Sequence, residues 1–127
     1  VYGSGLDDGN AITFISIDKG TLVTGGSGYP TNAVFKAFFS TGSKSYSASA
    51  ANGIEISMYD ASGVSWSTSL GSQTGSTFTI DHNQDDPDLL GNYYLKVKAS
   101  FSCKLYDASG NVKVLTNGVY VGDFGNF

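Results

Sequence analysis

The residues best suited to chemistry lie in one acidic segment, from Asp81 to Asp86, with the sequence DHNQDD. Carboxylate and amide oxygens occupy alternate positions there, and such side chains on a turning backbone converge on a hard cation such as Ca²⁺. The second half of a calcium loop does not follow, because Asp86 replaces the expected glycine and Pro87 stands where a backbone ligand would bend in. The pattern favours a solvated acidic loop, with a calcium site as the alternative. That site would use Asp81, Asn83, Asp85 and Asp86.

Acid–base chemistry has few candidate residues. His82 supplies the only imidazole of the chain, and no serine near it stands in the sequence context of an activated nucleophile. The carboxylate pairs Asp7-Asp8 and Asp85-Asp86 could in principle serve a glycosidase, but sequential neighbours in loops are usually solvated. We therefore predict no catalytic residues and no enzymatic activity. A glycoside hydrolase is the less favoured alternative.

Three aromatic residues form the candidate ligand-binding set: Trp66, Tyr59 and Tyr106. Aromatic rings stack on the apolar faces of sugars, and both tyrosines are out of phase with the apolar side chains of their strands, as surface residues are. Trp66 shares the phase of Val64, which favours a buried position. The stacking set and an ordinary aromatic core both fit the pattern.

Composition limits the classes of partner. The net charge is −4 and all seven basic residues are lysines, so nothing resembles the basic patch that binds nucleic acid. The single cysteine, Cys103, excludes an intrachain disulfide, and its phase predicts a small buried side chain. No stretch is apolar for the length of a transmembrane segment, and no signal peptide is recognisable. Low charge with abundant Gly, Ser and Thr favours an extracellular or cell-envelope location.

The element that must position these residues is the stretch Tyr93 to Tyr106, in which apolar and polar side chains alternate without interruption. Alternation of this kind predicts a long β-strand with one buried face. The stretch is followed by Asp107-Ala108-Ser109-Gly110, a tight turn with glycine at the position that needs positive φ. The same tetrapeptide occurs from Asp60 to Gly63, so we predict two hairpins of one geometry.

The rest of the chain reads as short strands and turns. We predict a flexible leader over residues 1–10 and a single β-domain over residues 11–127. The domain would include a strand from Ala33 to Phe39, a surface connection from Asp81 to Asn92 and a turn at Thr116-Asn117-Gly118. No sustained helical period is found, which indicates about eight to ten antiparallel strands. The predicted fold is an all-β antiparallel sandwich, Ig-like or a meander, with a closed lipocalin-like barrel as the alternative.

The region from residue 77 to 124 resembles the closing half of small secreted or lipid-anchored β-domains of unknown function from Bacteroidetes bacteria. The likeness is carried by TFTIDHN, by GNYYLKVKASFSCKLYDASGNVKVLTNG and by a final aromatic strand. Ala99-Ser100-Phe101 stands at the "GxF" position of those domains, and Leu115 to Tyr120 at their "iTnG.F" ending. The resemblance implies an all-β fold and an envelope or extracellular address, and it brings no catalytic residues.

These observations predict a non-catalytic secreted or cell-surface module for binding or for structural, adhesion-type contacts. The alternative is a carbohydrate-binding module that uses exposed aromatic rings. The expected partner is a protein or a glycan at the cell surface, without nucleic acid. No cofactor is expected, apart from the calcium ion named above.

Overall fold

A long central strand organises the chain, as its alternation predicts. The computed structural model describes residues 14–19, 30–47 and 53–126, so the predicted leader at 1–10 lies outside the described residues. The strands are β1 (Phe14–Lys19), β2 (Gly42–Lys44), β3 (Ile54–Tyr59), β4 (Ser65–Ser67), β5 (Thr77–Asp85), β6 (Tyr93–Tyr106) and β7 (Val112–Asn126). The helical segments are α1 (Asn32–Phe38) and a 3-10 turn (Thr68–Leu70).

The strands pair antiparallel into one open sheet of order β1-β3-β4-β6-β5-β2, with β7 on the other edge of β6. The antiparallel all-β fold is thus confirmed, and a closed barrel is not supported. Both β5 and β7 pair with the same part of β6, for example at Ala99, which lies opposite Ile80 on one side and Tyr120 on the other. The central strand therefore places residues of three strands side by side.

The two faces of β6 differ as predicted. Its inner face, from Leu95 to Leu105 at alternate positions, is 0–9% exposed, whereas Lys96, Lys98 and Ser100 on the outer face are exposed. Ile54, Ile56 and Met58 of β3 belong to the same buried cluster as the inner face of β6. The core lies between these apolar faces, because alternate side chains of each strand point to the same side.

The predicted strand from Ala33 to Phe39 is wrong, because this segment forms helix α1. Thr31 caps the helix, since its hydroxyl oxygen accepts a hydrogen bond from the Val34 amide at 3.3 Å. Phe35 and Phe39 are four residues apart, so the helix turns both rings to one side, where they are 8% and 6% exposed. The Phe39 ring stacks on Phe124 with centroids 4.4 Å apart. The helix is favoured because it buries both rings on the same side.

Two further boundaries differ from the prediction. Strand β5 continues to Asp85, so the first part of the predicted acidic connection, from His82 to Asp85, pairs with β6. The predicted turn at Thr116-Asn117-Gly118 is wrong, because β7 runs through it and remains paired with β6 on both sides of a bulge. Asn117 has φ 56°, the only positive φ of a non-glycine residue in the described part of the chain. Asn-Gly tolerates this conformation in bulges as well as in turns.

Three hairpin turns share one geometry. The two predicted turns are confirmed, and a third, Asp88 to Gly91, joins β5 to β6. In each, a carboxylate oxygen accepts from the backbone amides two and four residues later. Each ends with a glycine, at φ 79° in Gly63, 84° in Gly91 and 83° in Gly110. The third turn was missed because Leu89 and Leu90 do not resemble turn residues.

Candidate functional site

The outer face of the sheet carries an open groove of about 610 Å³ where β5, β6 and β7 run side by side. Its volume falls in the range of ligand sites in proteins, although its lining is more polar than is usual for them. Seven side chains provide hydroxyl, carboxylate or amide groups: Thr77, Thr79, Asp81, Ser100, Ser102, Thr116 and Asn117. We call this the outer-face groove.

Two bulges shape the outer-face groove. In β5 the register shifts between Ile80 and His82, so Asp81 is the extra residue. In β7 the register shifts where Asn117 takes its positive φ. Bulges bend a strand and redirect its side chains, and here one stands on each side of β6. The groove is therefore a consequence of irregular pairing along otherwise regular strands.

Hydrogen bonds hold the polar side chains of the groove in place. The Ser100 hydroxyl donates to a carboxylate oxygen of Asp81 across β5 and β6. Close by, the hydroxyl oxygens of Thr77 and Ser102 lie 3.3 Å apart. Each of these side chains is positioned in the folded protein and keeps further hydrogen-bonding capacity, because hydroxyl and carboxylate oxygens carry several lone pairs.

One exposed apolar side chain borders this polar lining. Val119 is 65% exposed and lies opposite Ser100 on the outer face. The Phe101 ring lies beneath the groove on the inner face, where it stacks on Phe78 with centroids 5.8 Å apart. A Cβ atom on Gly118 would lie 2.6 Å from this ring, so the glycine lets β7 lie directly against it. The groove can thus offer a ligand several polar side chains and the apolar side chain of Val119.

The predicted aromatic set is divided between two faces of the sheet. Trp66 is opposite Met58 in the core and is 7% exposed, whereas Tyr59 is opposite Ser65 and is 47% exposed. The Trp66 indole N–H donates to the Asp60 carboxylate at 3.0 Å, and the Lys113 ammonium lies 4.6 Å from the ring centroid. Trp66 is a core residue with a satisfied polar atom. It does not form a stacking platform with the two tyrosines.

Tyr106 lies on the outer face, but its side chain already contacts another part of the chain. Its hydroxyl donates to the Ser72 carbonyl at 2.6 Å, and its ring packs against Gly71 so closely that a Cβ atom there would lie 2.6 Å from the ring. A side chain held in this way fastens the segment after the 3-10 turn onto β6. The face of the ring that lies against Gly71 is closed to a ligand.

The four predicted calcium ligands do not converge on one point. Asp81 bonds Ser100, and the Asn83 amide donates to the Phe39 carbonyl at 3.0 Å. Asp85 pairs with Lys36 at 3.0 Å, and Asp86 pairs with Lys96 at 2.8 Å. Within residues 14–19, 30–47 and 53–126, no group of three or more His, Cys, Asp or Glu side chains could hold a metal ion.

Asp85 is held by two donors. The Tyr93 hydroxyl donates to it at 2.7 Å, and this bond, followed by the Lys36 ammonium, lowers the pKa of Asp85. Burial, and then the hydrogen bond to Asp85, raises the pKa of Tyr93 to about 12. These contacts connect helix α1 to the start of β6.

Three further side chains with acid–base or nucleophilic groups, His82, Glu55 and Cys103, lie on three different strands. His82 lies opposite Lys98 on the outer face, and Glu55 accepts from the hydroxyls of Ser67 and Ser69 at 2.8 and 2.9 Å. Cys103 is 1% exposed, and burial raises the pKa of its thiol to about 11. A thiol in this state is a poor nucleophile, since the thiolate is the reactive form.

Gln73 has a structural role that sequence reasoning missed. Its side-chain amide donates to the Lys104 carbonyl at 2.6 Å and accepts from the Lys104 amide at 3.0 Å. Strand β5 pairs with β6 as far as Ser102, and β4 pairs with it at Tyr106. The Gln73 side chain thus takes the place of a neighbouring strand between the two. No local pattern reveals such a contact.

No protein-family model, no curated protein and no solved structure matches the chain. The resemblance to β-domains of Bacteroidetes therefore stays a prediction. None of the described helical segments has the length and apolar character needed to cross a membrane.

Proposed function

We propose that the protein is a non-catalytic binding module whose ligand is a neutral glycan held in the outer-face groove. The observation that carries this proposal is the groove itself, with seven hydroxyl, carboxylate or amide side chains placed between two bulges. Proteins bind glycans through many hydrogen bonds to the sugar hydroxyl groups, together with apolar contacts to the sugar C–H groups. The groove supplies seven polar side chains for the hydrogen bonds and Val119 for the apolar contact.

Electrostatics support a neutral ligand. Asp81 is the only charged side chain among those that line the groove. A polyanion would meet this carboxylate directly, so the groove favours a ligand whose hydroxyl groups can donate to it. The low charge and the abundance of Ser, Thr and Gly support a location outside the cell, where such ligands occur. Cell-surface glycans are the proposed source.

A glycan array with neutral and acidic sugars tests the proposal. We expect binding to neutral glycans, with at least a tenfold loss in the double variant Asp81→Ala, Asn117→Gly. Glycine keeps the positive φ of position 117 without strain, so this variant removes two polar groups while the bulge remains. The matched control is Gln84→Ala, an exposed position on the same strand as Asp81 but outside the groove, which should leave binding unchanged.

Adhesion to a protein surface is the second candidate, and a different observation favours it. Four exposed valines line the outer side of β7, with exposed fractions between 50% and 65%: Val112, Val114, Val119 and Val121. Apolar side chains in a row on an exposed strand are typical of contact surfaces. If beads coated with the protein attach to cells, prior protease treatment of the cells should abolish attachment, as should the double variant Val112→Ser, Val114→Ser, which leaves the groove lining intact. Glycosidase-sensitive attachment that depends on Asp81 would decide for the glycan.

A further inference from the structure

Asp81 and Ser100 together offer a ligand hydrogen-bond acceptors and no donor. The Ser100 hydroxyl donates to the Oδ2 atom of Asp81 across β5 and β6. A hydroxyl group has one proton, so Ser100 keeps only lone pairs for a ligand, and a carboxylate has only lone pairs in any case. A hydrogen bond to a carboxylate is stronger than one between neutral groups, which holds the Ser100 proton in this position. We call these two residues the acceptor pair.

No positively charged side chain pairs with Asp81 in the described part of the protein. The two ion pairs found there involve Asp85 and Asp86. Ser100 is the only described residue that donates to Asp81, so the Oδ1 atom accepts no hydrogen bond from any of them. Asp81 is also exposed, as the extra residue of the β5 bulge. Its carboxylate is therefore accessible to a donor group of a ligand.

The Thr79 hydroxyl, which lines the same groove, can act as donor or acceptor. Thr79 lies directly opposite Ser100 in the pairing of β5 with β6. Among the described residues, none forms a hydrogen bond with the Thr79 hydroxyl, so this group can rotate to suit a ligand. Two neighbouring positions of the groove thus differ in what they recognise. Thr79 can bond a donor or an acceptor, whereas Asp81 requires a donor.

Free and O-acetylated sugars differ in the property that the acceptor pair recognises. A free sugar hydroxyl has a proton that it can donate, whereas O-acetylation replaces this proton by an acetyl group, whose oxygens only accept. An acetyl ester facing Asp81 would place oxygen lone pairs against a negative charge and leave the carboxylate without a donor. A site that hydrogen-bonds a ligand hydroxyl discriminates against analogues that lack the proton, because its own polar group is then unpaired.

We propose, on the basis of the glycan site proposed above, that Asp81 makes the outer-face groove specific for glycans with unsubstituted hydroxyl groups. The Asp81 carboxylate accepts from a sugar hydroxyl, while Ser100 holds the carboxylate in place. O-acetylation of the glycan weakens binding, because it removes the proton that Asp81 requires. Hydrolysis of acetyl esters on the glycan is therefore the class of reaction that creates binding sites for this module.

Paired forms of each glycan test this specificity on the whole chain. The probes are the neutral glycans of the array, with oligosaccharides of xylan, glucomannan and galactan among them, each printed free and fully O-acetylated. We expect the wild type to bind a free glycan more tightly than its acetylated form by about tenfold or more, the usual worth of a hydrogen bond to a charged group.

The variant Asp81→Asn separates hydrogen bonding from size. Asparagine has the shape of aspartate and can still accept from Ser100, but its N–H group can donate to an acetyl carbonyl. The variant should therefore bind acetylated glycans more tightly than the wild type does, and the preference for the free form should fall by about tenfold. Because Asp81 is exposed, the thermal midpoint should change little.

Thr79→Val is the matched control on the same strand. It removes one hydroxyl from the groove and keeps a β-branched side chain of similar size. Since the Thr79 hydroxyl can donate or accept, its loss should weaken binding of free and acetylated glycans alike. The preference for the free form should then equal that of the wild type.

The outcomes distinguish a failure of the glycan site from a failure of the specificity. If no neutral glycan binds in either form, the glycan site is wrong and the role of Asp81 falls with it. If free and acetylated glycans bind equally well to the wild type, the glycan site stands and the specificity is wrong. If Asp81→Asn gains no binding to acetylated glycans, size alone excludes the acetyl group and Asp81 does not read the hydroxyl.

Discussion

The two strands beside β6 have the same partner but different surroundings. Strand β5 lies between β6 and β2, and its inner side chains Phe78 and Ile80 are 3% and 2% exposed. Strand β7 has β6 as its only neighbour among the described strands, and its inner side chains Tyr120 and Phe124 are only partly buried. The strand with neighbours on both edges buries its inner side chains more fully than the strand with a single described neighbour.

The contrast also separates two roles. Strand β5 contributes Phe78 and Ile80 to the core and three polar side chains to the outer-face groove, whereas β7 exposes four valines and forms the opposite wall of the groove. Binding surfaces occur where apolar and polar groups remain accessible, so we expect the exposed valines of β7 to serve a protein partner. The proposed glycan contact uses both strands, and the proposed protein contact uses β7 alone.

The largest expected effect compares one phenylalanine from each strand. Phe78→Ala should lower the free energy of unfolding by about 3–5 kcal/mol, because it leaves a cavity beside Phe101 in the centre of the core. Phe124→Ala should cost clearly less, about 1–3 kcal/mol, because its ring is partly exposed already. Denaturant titration of both variants measures the difference. Equal losses would show that β7 is as well covered as β5.

The next effect concerns the close contact between β7 and the core. Gly118→Ala places a Cβ atom 2.6 Å from the Phe101 ring, which stacks on Phe78 and cannot yield without a shift of the core. We expect a loss of about 1–3 kcal/mol, as for other overpacked sites. Val119→Ala, the exposed neighbour on the same strand, should change stability by less than about 0.5 kcal/mol. A neutral Gly118→Ala would mean that β7 can move away from β6.

The smallest expected effect is a pH dependence of the thermal midpoint, to which the turns at both ends of β6 contribute. Hydrogen bonds from Asn92 and Asn111, the largest cause in each turn, lower the pKa of Asp88 and of Asp107 in the folded protein. A carboxylate with a lowered pKa stabilises the fold above its unfolded pKa of about 3.9, and this contribution is lost as the pH falls further. The thermal midpoint should therefore be flat near neutral pH and fall below about pH 4.

Two variants sharpen this test. Asp88→Asn and Asp107→Asn should each lower the midpoint at neutral pH and reduce its fall in acid, to a similar extent, since the two turns have the same bonds. Circular dichroism melts between neutral and acidic pH measure both effects. A midpoint that rises on acidification would contradict the assignment of these carboxylates as stabilising groups.

Part of the candidate site could be predicted. The alternation of β6 placed Ser100 and Ser102 on the polar face, where the groove lies. The groove itself was not predicted, because it depends on two bulges in strands that are far apart in the chain. Asn117 was recognised as a residue suited to positive φ, but the same dipeptide suits a turn or a bulge. Only pairing with β6 distinguishes the two.

The sequence by itself determined the features that depend on neighbouring residues. The burial pattern of β6 follows from alternation, and the turns at Asp60 and Asp107 follow from Asp and Gly three positions apart. Each of these involves contacts within a few residues of chain, so the local pattern contains the information needed.

Only the tertiary structure decided the features that depend on distant residues. Phe35 and Phe39 suit a strand or a helix, and contacts with Tyr93 and Phe124 select the helix. Gln73 pairs with Lys104 because two other strands leave a gap there. In both cases the free energy that selects the conformation comes from burial and hydrogen bonds to parts of the chain far away in sequence, which no local pattern contains.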